Sequence, residues 1–218
     1  FWMHNGLMQA AGGAAGKVGG RPRGAGEPDD VAAQTAAKIS KSTGAEPFKH
    51  LLARHRPEAI RLLLLSTHYR SPISFGEEPL AESARAMEAF ERLFARFERI
   101  TGTSFYSLPS RDRRAGNAAV AAAGTDVAAL RDTFLAALDD DFNTAIAVAT
   151  LFDFVRVVNK HIDTHGLETA APAGELAVVG AMMATLRELT GVLGLFLVPP
   201  QAAGGADDGL AAKLMELV

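Results

Sequence analysis

Residues 139–158 read DDDFNTAIAVATLFDFVRVV, and this stretch decides the fold class of the chain. Its large apolar side chains recur at helical spacing on more than one face, which indicates a helix at the centre of a helix bundle. They are Phe142, Ile146, Val148, Leu151, Phe152, Val155 and Val158. We expect the acids Asp139 to Asp141 at the start of this helix, where they suit its dipole, rather than in a metal or paired-carboxylate site. The stretch predicts a mainly helical protein.

Helical spacing continues on both sides of this stretch. A helix is predicted over 127–138, and a long helix opens at 77–79, where two glutamates and a proline favour a first turn. Glu88 and Arg92 should pair on its polar face, because they are four residues apart. Its apolar stripe is Leu80, Ala84, Met87, Phe90, Phe94 and Phe97. A last long helix has the stripe Leu176, Val179, Met183, Leu186, Thr190, Leu193 and Leu197.

Two short helices are predicted further upstream, one from Pro47 and one from Pro57 to Leu65. The helical pattern stops in the segment STHYRSP at 66–72, because Pro72 disfavours a helical conformation in the residue before it. The polar segment 101–124 is predicted to be a connection between helices.

Composition limits the functions that the chain can have. Its 218 residues are 48% hydrophobic, which is enough for one large or two small domains. A net charge of -3 excludes attraction of nucleic acid by an overall basic field, so any RNA contact must be local. The chain has no cysteine, which excludes disulfides and thiolate chemistry within it and fits a cytoplasmic location. Its apolar runs are too short to span a membrane, and its six histidines without cysteine partners form no recognisable metal site.

The segment Lys38-Ile39-Ser40-Lys41-Ser42 has the composition of a phosphate-binding loop. Lysine ammonium groups are compact charges on flexible stems, and the serines add hydroxyl donors, so such a loop can follow polyphosphate oxygens. Taken alone, a solvated surface loop is the simpler interpretation.

The two ends of the chain look incomplete. Residues 1–7 mix apolar side chains with His4 and Asn5 before Gly6, as at the end of a buried strand that enters a turn. Residues 11–37 are rich in alanine and glycine and predict a flexible insertion. The sequence lacks an initiator methionine, and a helix that starts at Gly209 ends without a cap, so we expect a piece of a longer protein.

Four segments in this order resemble the C-terminal half of cysteinyl-tRNA synthetases: residues 2–6, 38–42, 66–72 and 140–144. In that family the second segment is the Lys-Met-Ser-Lys-Ser loop, with Ile39 here in place of methionine. The resemblance covers the chain nearly end to end.

The resemblance implies the remaining end of a Rossmann-type class I catalytic domain, a helical connector and a DALR-type anticodon-binding helix bundle. We expect these parts at the following residues: the last catalytic strand at 1–10, the insertion at 11–37, the lysine loop and connector at 38–76, the helical bundle at 77–200 with the DALR-type domain from about 125, and a linker with a truncated helix at 201–218.

The implied activity is ATP-dependent activation of cysteine to cysteinyl-adenylate, followed by transfer to tRNACys. Lys38 and Lys41 are the implied catalytic residues, because their charges would stabilise the pyrophosphate leaving group. The implied ATP-binding residues are Lys41, Lys38, Ser40, Ser42, His4 and Gly6. ATP would bind with Mg²⁺, and a monomer is expected. For His4 and Gly6, a plain strand end is an equally good interpretation.

The connector would pack against the inner side of the tRNA, where Arg61 and Arg70 are candidate phosphate contacts. A buried Tyr69 with a paired Arg70 is the structural alternative. Lys17, Arg21 and Arg23 in the insertion are a further possible tRNA contact, although decoration is the simpler interpretation.

Several parts of the family pattern are missing from this chain. It has no His-Ile-Gly-His-type ATP motif and no C-terminal tryptophan-containing module, and ligands for the family's Zn²⁺ are expected upstream. The chain alone is therefore expected to be inactive. A cysteine:amino-sugar ligase and a non-catalytic helical tRNA-binding module are the alternative functions.

Overall fold

The computed structural model describes residues 4–6, 8–10, 48–109 and 124–200. This part of the chain is mainly helical and includes a small parallel sheet, which confirms the predicted fold class. The lysine loop at 38–42, the insertion at 11–37 and the segment 201–218 lie outside the described residues, and predictions about them stay predictions.

The described helices follow the predicted order. Strand β1 is Met8–Ala10, helix α1 is Phe48–Arg54, α2 is Pro57–Leu65, β2 is Ile73–Phe75, α3 is Glu77–Thr101, α4 is Thr125–Asp139, α5 is Thr144–Thr164 and α6 is Ala173–Val192. The expected ion pair between Glu88 and Arg92 is present on α3, at 3.2 Å. Within the described ranges, every helix falls short of the length and apolarity that crossing a membrane requires.

Helix α5 lies at the centre of the bundle, as its two-sided apolar pattern predicted. It contacts α2, α3, α4 and α6. Its buried residues are Ala147, Val148, Thr150, Leu151, Phe154, Val155, Val158 and Ile162. Aromatic rings from α3 complete this core, with Phe90 and Phe97 each 1% exposed. Burial of side chains on several faces of α5 fixes the positions of the neighbouring helices.

The small sheet joins the N-terminal segment to the connector. Met8 pairs with Ile73 and Ala10 with Phe75, in parallel register. The prediction that residues 1–7 form a strand entering a turn at Gly6 is wrong for the described residues, since 4–6 have no regular structure and the strand follows them. Gly6 donates its N–H to the connector at 66–72 instead of to a strand ladder. Strand β2 was not predicted, because three residues are too few to show alternation.

The acidic residues 139–141 do not start the central helix, so that prediction is wrong. Asp139 ends α4, and Asp141 has a positive φ of 56° in the turn between the helices. Helix α5 begins at Thr144, and the side-chain oxygen of Asn143 caps it by accepting the N–H of Ile146 at 3.2 Å. An asparagine N-cap satisfies an unpaired donor of the first turn, which three upstream carboxylates do not do.

The last helix also ends earlier than its apolar stripe suggested. Helix α6 stops at Val192, and Gly194 follows with φ +67°, a conformation that favours glycine. Leu193 and Phe196 remain buried in the main core, whereas Leu197 is 40% exposed. The periodic pattern therefore identified buried Leu193 correctly but extended the helix too far, because the turn after α6 folds back on the same core.

Candidate nucleic-acid interface

The loop at 66–72, called here the connector loop, is held between α2 and β2. The N–H of Ser66 donates to the carbonyl of Leu62 at 2.9 Å and closes the end of α2. Within the loop, the N–H of Ser71 donates to the carbonyl of His68 at 2.8 Å. These bonds turn the chain sharply and set the side chains of residues 68–70 beside the α4–α5 turn.

Gly6 packs directly against the connector loop. Its N–H donates to the carbonyl of Tyr69 at 2.6 Å. A Cβ atom at this position would overlap the carbonyl group of Ser71 and also lie 2.9 Å from the nitrogen of Pro72. The close approach of the two backbones therefore requires glycine. His4, two residues earlier, is exposed.

Three connector side chains gather around one carboxylate on the α4–α5 turn. The hydroxyl of Tyr69 donates to Oδ1 of Asp141 at 2.8 Å, and Nη2 of Arg70 donates to the same oxygen at 3.0 Å. Nε of Arg70 also donates to the hydroxyl of Tyr69 at 2.8 Å. Nε2 of His68 lies 3.7 Å from Oδ2 of Asp141. We call these four residues the Asp141 cluster.

Arg70 is both paired and accessible. Its hydrogen bond to Tyr69 and the charge of Asp141 raise its pKa, so it stays cationic. Its side chain is 64% exposed. A guanidinium has five N–H donors, and the cluster uses two of them. The remaining donors can bind an anion such as a phosphate, while Asp141 and Tyr69 hold the group in place.

Phe142 extends the cluster with an exposed aromatic ring. It follows Asp141, has φ 53° and is 59% exposed. A bulky residue in the left-handed region is strained, and such residues concentrate at functional sites. Ile146, one helical turn later, is 46% exposed. Exposed aromatic rings can stack on unpaired nucleic-acid bases.

The second predicted phosphate contact, Arg61, lies elsewhere. It is exposed on α2, and its guanidinium occupies the space beside Gly194 in which a side chain would stand. None of the ion pairs found in the described ranges includes Arg61. The structure therefore brings His68, Tyr69 and Arg70 together with Asp141, and leaves Arg61 outside that cluster.

The connector also contacts the turn that follows α6, through α2, and Arg187 on α6 bonds to the same turn. Arg187, 5% exposed, donates to the backbone carbonyl of Phe196 and, at 3.0 Å, to that of Leu197. Its guanidinium carbon lies 5.3 Å from the centre of the Phe105 ring. Glu58 on α2 accepts the N–H of Phe196 at 2.8 Å. We call Glu58, Arg187 and Phe196 the buried junction.

Burial dominates the electrostatics of this junction. Desolvation lowers the pKa of Arg187, and it raises the pKa of Tyr106 to about 12, with Glu58 and Glu91 adding to the rise. Desolvation opposes the charge of Arg56, but an ion pair with Glu91 and the nearby Glu58 outweigh it, so the pKa of Arg56 is raised.

Sequence reasoning missed most of these roles. It found Tyr69, Arg70 and the acidic run, but nothing in the run distinguishes Asp141 from its two neighbours. The preference of asparagine for N-caps at Asn143 was the one available signal that the acids precede the helix. Arg187 gave no signal, because a single arginine in an apolar stripe ordinarily marks the solvent side.

Comparison with known sequences gives one family match and many relatives. Residues 133–197 match the family described as DALR domain. The chain is 34% identical to a cysteine–tRNA ligase of Moorella thermoacetica over 225 aligned positions that cover 100% of this chain and 39% of the relative. It is 36% identical to the cysteine–tRNA ligase of Symbiobacterium thermophilum, covering 83% of this chain and 36% of the relative. The same enzyme of Azotobacter vinelandii is also 36% identical, with 83% and 33% covered. The chain thus spans between a third and two fifths of these relatives.

Proposed function

Because the chain is homologous to the cysteine–tRNA ligases over its whole length and contains a DALR domain, we propose that it supplies the tRNA-binding helices and the ATP-contacting lysine loop of such a ligase. The whole enzyme would activate cysteine with ATP and transfer it to tRNACys. The observation that carries the tRNA-binding role is Arg70, which is exposed yet fixed by Asp141 and Tyr69.

In this proposal the division of the chain follows the predicted boundaries. Residues 1–10 end the catalytic domain, 38–76 form the lysine loop and connector, and 77–200 form the helical bundle. The parallel pairing of β1 with β2 supports this division, since parallel strands are typical of α/β catalytic domains. The DALR match from 133 to 197 supports the assignment of the bundle.

Arg70 and Phe142 would make the central tRNA contact. Arg70 would donate to a phosphate through the guanidinium edge that Asp141 leaves free, and Phe142 would stack on an unpaired base beside it. Arg61 would contact a second phosphate, since it is exposed and lacks an ion pair among the described residues. Holding Arg70 in place before binding reduces the entropy lost when the RNA docks.

Lys38 and Lys41 would stabilise the charge that develops on pyrophosphate while the adenylate forms. Ser40, Ser42 and His4 would add hydrogen bonds to ATP, which binds with Mg²⁺. For Gly6 the packing against Ser71 favours a positioning role, because it ties the segment before β1 to the connector loop. Ligands for the Zn²⁺ of the family are not proposed from this chain.

The tRNA-binding role is tested by fluorescence anisotropy with labelled tRNACys at several salt concentrations. Arg70→Ala should weaken binding about tenfold, the effect of losing one charge-assisted contact. It should also reduce the slope of log affinity against log salt by about one. The matched control is Arg92→Ala, which removes an equally exposed, carboxylate-paired arginine from α3. Equal losses in the two variants would contradict a specific role for Arg70.

The catalytic role needs the complete enzyme that contains this chain. There, Lys41→Ala should strongly lower the rate of cysteine-dependent pyrophosphate exchange and leave tRNACys affinity unchanged. A change confined to affinity would refute the assignment to ATP. A complete protein that binds tRNA but catalyses no exchange would support the alternative of a non-catalytic module. The DALR match weighs against a cysteine:amino-sugar ligase, which has no tRNA to bind.

A further inference from the structure

Two histidines and a glutamate meet where α5 ends and α6 begins. His161 is in the last turn of α5, His165 follows that helix, and Glu175 is in the first turn of α6. Nε2 of His161 lies 2.9 Å from Oε2 of Glu175, and Nδ1 of His165 lies 3.8 Å from the same oxygen. The two imidazole rings are 4.3 Å apart at their centres. One ligand atom from each residue lies within 4.8 Å of the other two.

A hydrogen bond explains the position of His161 beside Glu175 but not that of His165. His161 is within hydrogen-bond distance of Glu175, but 3.8 Å is too long for a bond from His165. The second imidazole is thus directed at an oxygen that it does not bind. Two imidazoles and one carboxylate around a common point are a donor set for Zn²⁺.

The separations of the ligand atoms are close to those that such an ion requires. Zinc bonds of about 2.0–2.2 Å at tetrahedral angles separate neighbouring ligand atoms by about 3.4 Å. The two separations from Glu175 Oε2, 2.9 and 3.8 Å, lie on either side of that value. His165 is the first residue after α5, and its N–H still donates to the carbonyl of His161 at 3.1 Å. The four-residue spacing of the two histidines therefore places their rings on the same side, as in helical zinc motifs.

The three side chains are accessible to solvent. The exposed fraction is 19% for His161, 35% for His165 and 34% for Glu175. An ion can therefore enter without unfolding the bundle, and water can occupy the fourth position. Because these side chains are partly exposed, small rotations of His165 and Glu175 can bring their ligand atoms to bonding distance.

We propose that His161, His165 and Glu175 bind a divalent transition-metal cation such as Zn²⁺. The ion joins the end of α5 to the start of α6 and fixes the turn at 165–172 between them. This site is separate from the zinc that the family resemblance implies, whose ligands are expected upstream of the chain. It also does not depend on the proposed tRNA-binding function.

Calorimetric titration of the metal-free, untagged chain with zinc chloride at about pH 7.5 tests the site. The wild-type chain should bind one ion at the cluster. His165→Ala and the isosteric Glu175→Gln should each weaken that binding at least about tenfold. The matched control is His55→Ala, which removes a histidine that also lies 2.9 Å from a glutamate oxygen but belongs to no group of three possible metal ligands among the described residues. The control should bind zinc as the wild type does.

Two measurements on the wild-type chain avoid any effect of substitution on folding. Zinc should raise the melting temperature in a concentration-dependent way, because the ion binds the folded chain preferentially. Cobalt(II) should give the visible absorption of a low-coordinate nitrogen and oxygen site. Absence of stoichiometric zinc binding would overturn the proposal, as would equal affinity in the wild type, His165→Ala and Glu175→Gln.

Discussion

Two of the contacts between the connector and the DALR-matching region differ in their exposure to water. At the buried junction, the charged groups of Arg187 and Glu58 bond to the backbone of residues 196 and 197. At the Asp141 cluster, connector side chains bond to another side chain, and Arg70 is 64% exposed. A buried carbonyl such as that of Phe196 cannot exchange a lost partner for water, whereas exposed side chains can.

This difference in exposure suggests that the buried junction serves mainly stability and the Asp141 cluster mainly binding. The buried junction fixes how the turn after α6 lies against α2, because every change there leaves a polar group without a partner. The Asp141 cluster holds Arg70 with bonds that are individually weak in water, so a ligand can compete for its donors. The buried junction fixes the positions of the helices, and the Asp141 cluster holds the Arg70 cation at their surface.

Arg187→Met provides the strongest test of the buried junction. The substitution removes both donors to the carbonyls of Phe196 and Leu197 while keeping much of the side-chain volume. We expect a loss of about 3 kcal/mol in the free energy of unfolding, measured with urea and circular dichroism. The control Arg156→Met removes an arginine that is 74% exposed on α5, and it should cost less than about 0.5 kcal/mol. Similar losses in both variants would contradict the assignment.

Gly6→Ala tests whether the connector loop depends on close backbone packing. The added methyl group would overlap the carbonyl of Ser71, so the loop must move, at a cost of about 2 kcal/mol. Hydrogen exchange should show faster exchange in the connector loop and no change at the buried junction.

The matched control for this substitution is Gly180→Ala. Gly180 lies within α6, and no atom outside its own helix lies within 4 Å of the position of its Cβ. Alanine there should stabilise the chain by about 0.5–1 kcal/mol, because it limits the unfolded backbone. A neutral Gly6→Ala would show that the loop accommodates a side chain.

Asp141→Asn should have a small effect on stability. The carboxylate is 40% exposed and its arginine partner more so, and exposed pairs contribute about 1 kcal/mol or less. The loss in unfolding free energy should shrink further as salt is added, since ions screen surface charges. A loss as large as that of Arg187→Met would show that the two contacts are not different in kind.

Tyr106, whose ring lies beside Arg187 of the buried junction, should lose its proton only at high pH. In Tyr69→Phe, Tyr106 is the only tyrosine left of two, and its absorbance change should have a midpoint of about 12 while the chain stays folded. The unfolded pKa is about 10, so the folded state holds the proton more tightly. Its contribution to stability is present below about pH 10 and is lost as pH rises through about 12. Tyr106→Phe should lack this loss, and a midpoint near 10 would contradict the burial.

The sequence predicted the helices correctly where apolar residues recur along one face. The stripe from Leu80 to Phe97 located α3, and Pro57 located the start of α2. The predictions failed where a turn depends on contacts from outside it. The acids at 139–141 were assigned to the wrong helix, since their placement depends on the cap at Asn143 and on Arg70, 71 residues away from Asp141.

The candidate site was predicted only in part. Tyr69 and Arg70 were identified from a resemblance, but Asp141 as their common partner was not. The predictions for Lys38, Lys41, Ser40 and Ser42 concern residues outside the described ranges and stay predictions. The sequence did not predict that His161, His165 and Glu175 lie together, because Glu175 belongs to the next helix and only the four-residue spacing of the two histidines is visible locally.

The sequence by itself determined that the chain is mainly helical, that 146–158 belongs to a helix at the centre of the bundle, and that residues 66–72 interrupt the helices. These features follow from the spacing of apolar residues and from proline, which act over a few residues. Only the tertiary structure decided that Gly6 packs on Ser71, that Arg70 meets Asp141, and that Arg187 is buried. Such contacts join residues far apart in the chain, and their energies depend on exposure to water, which local sequence does not specify.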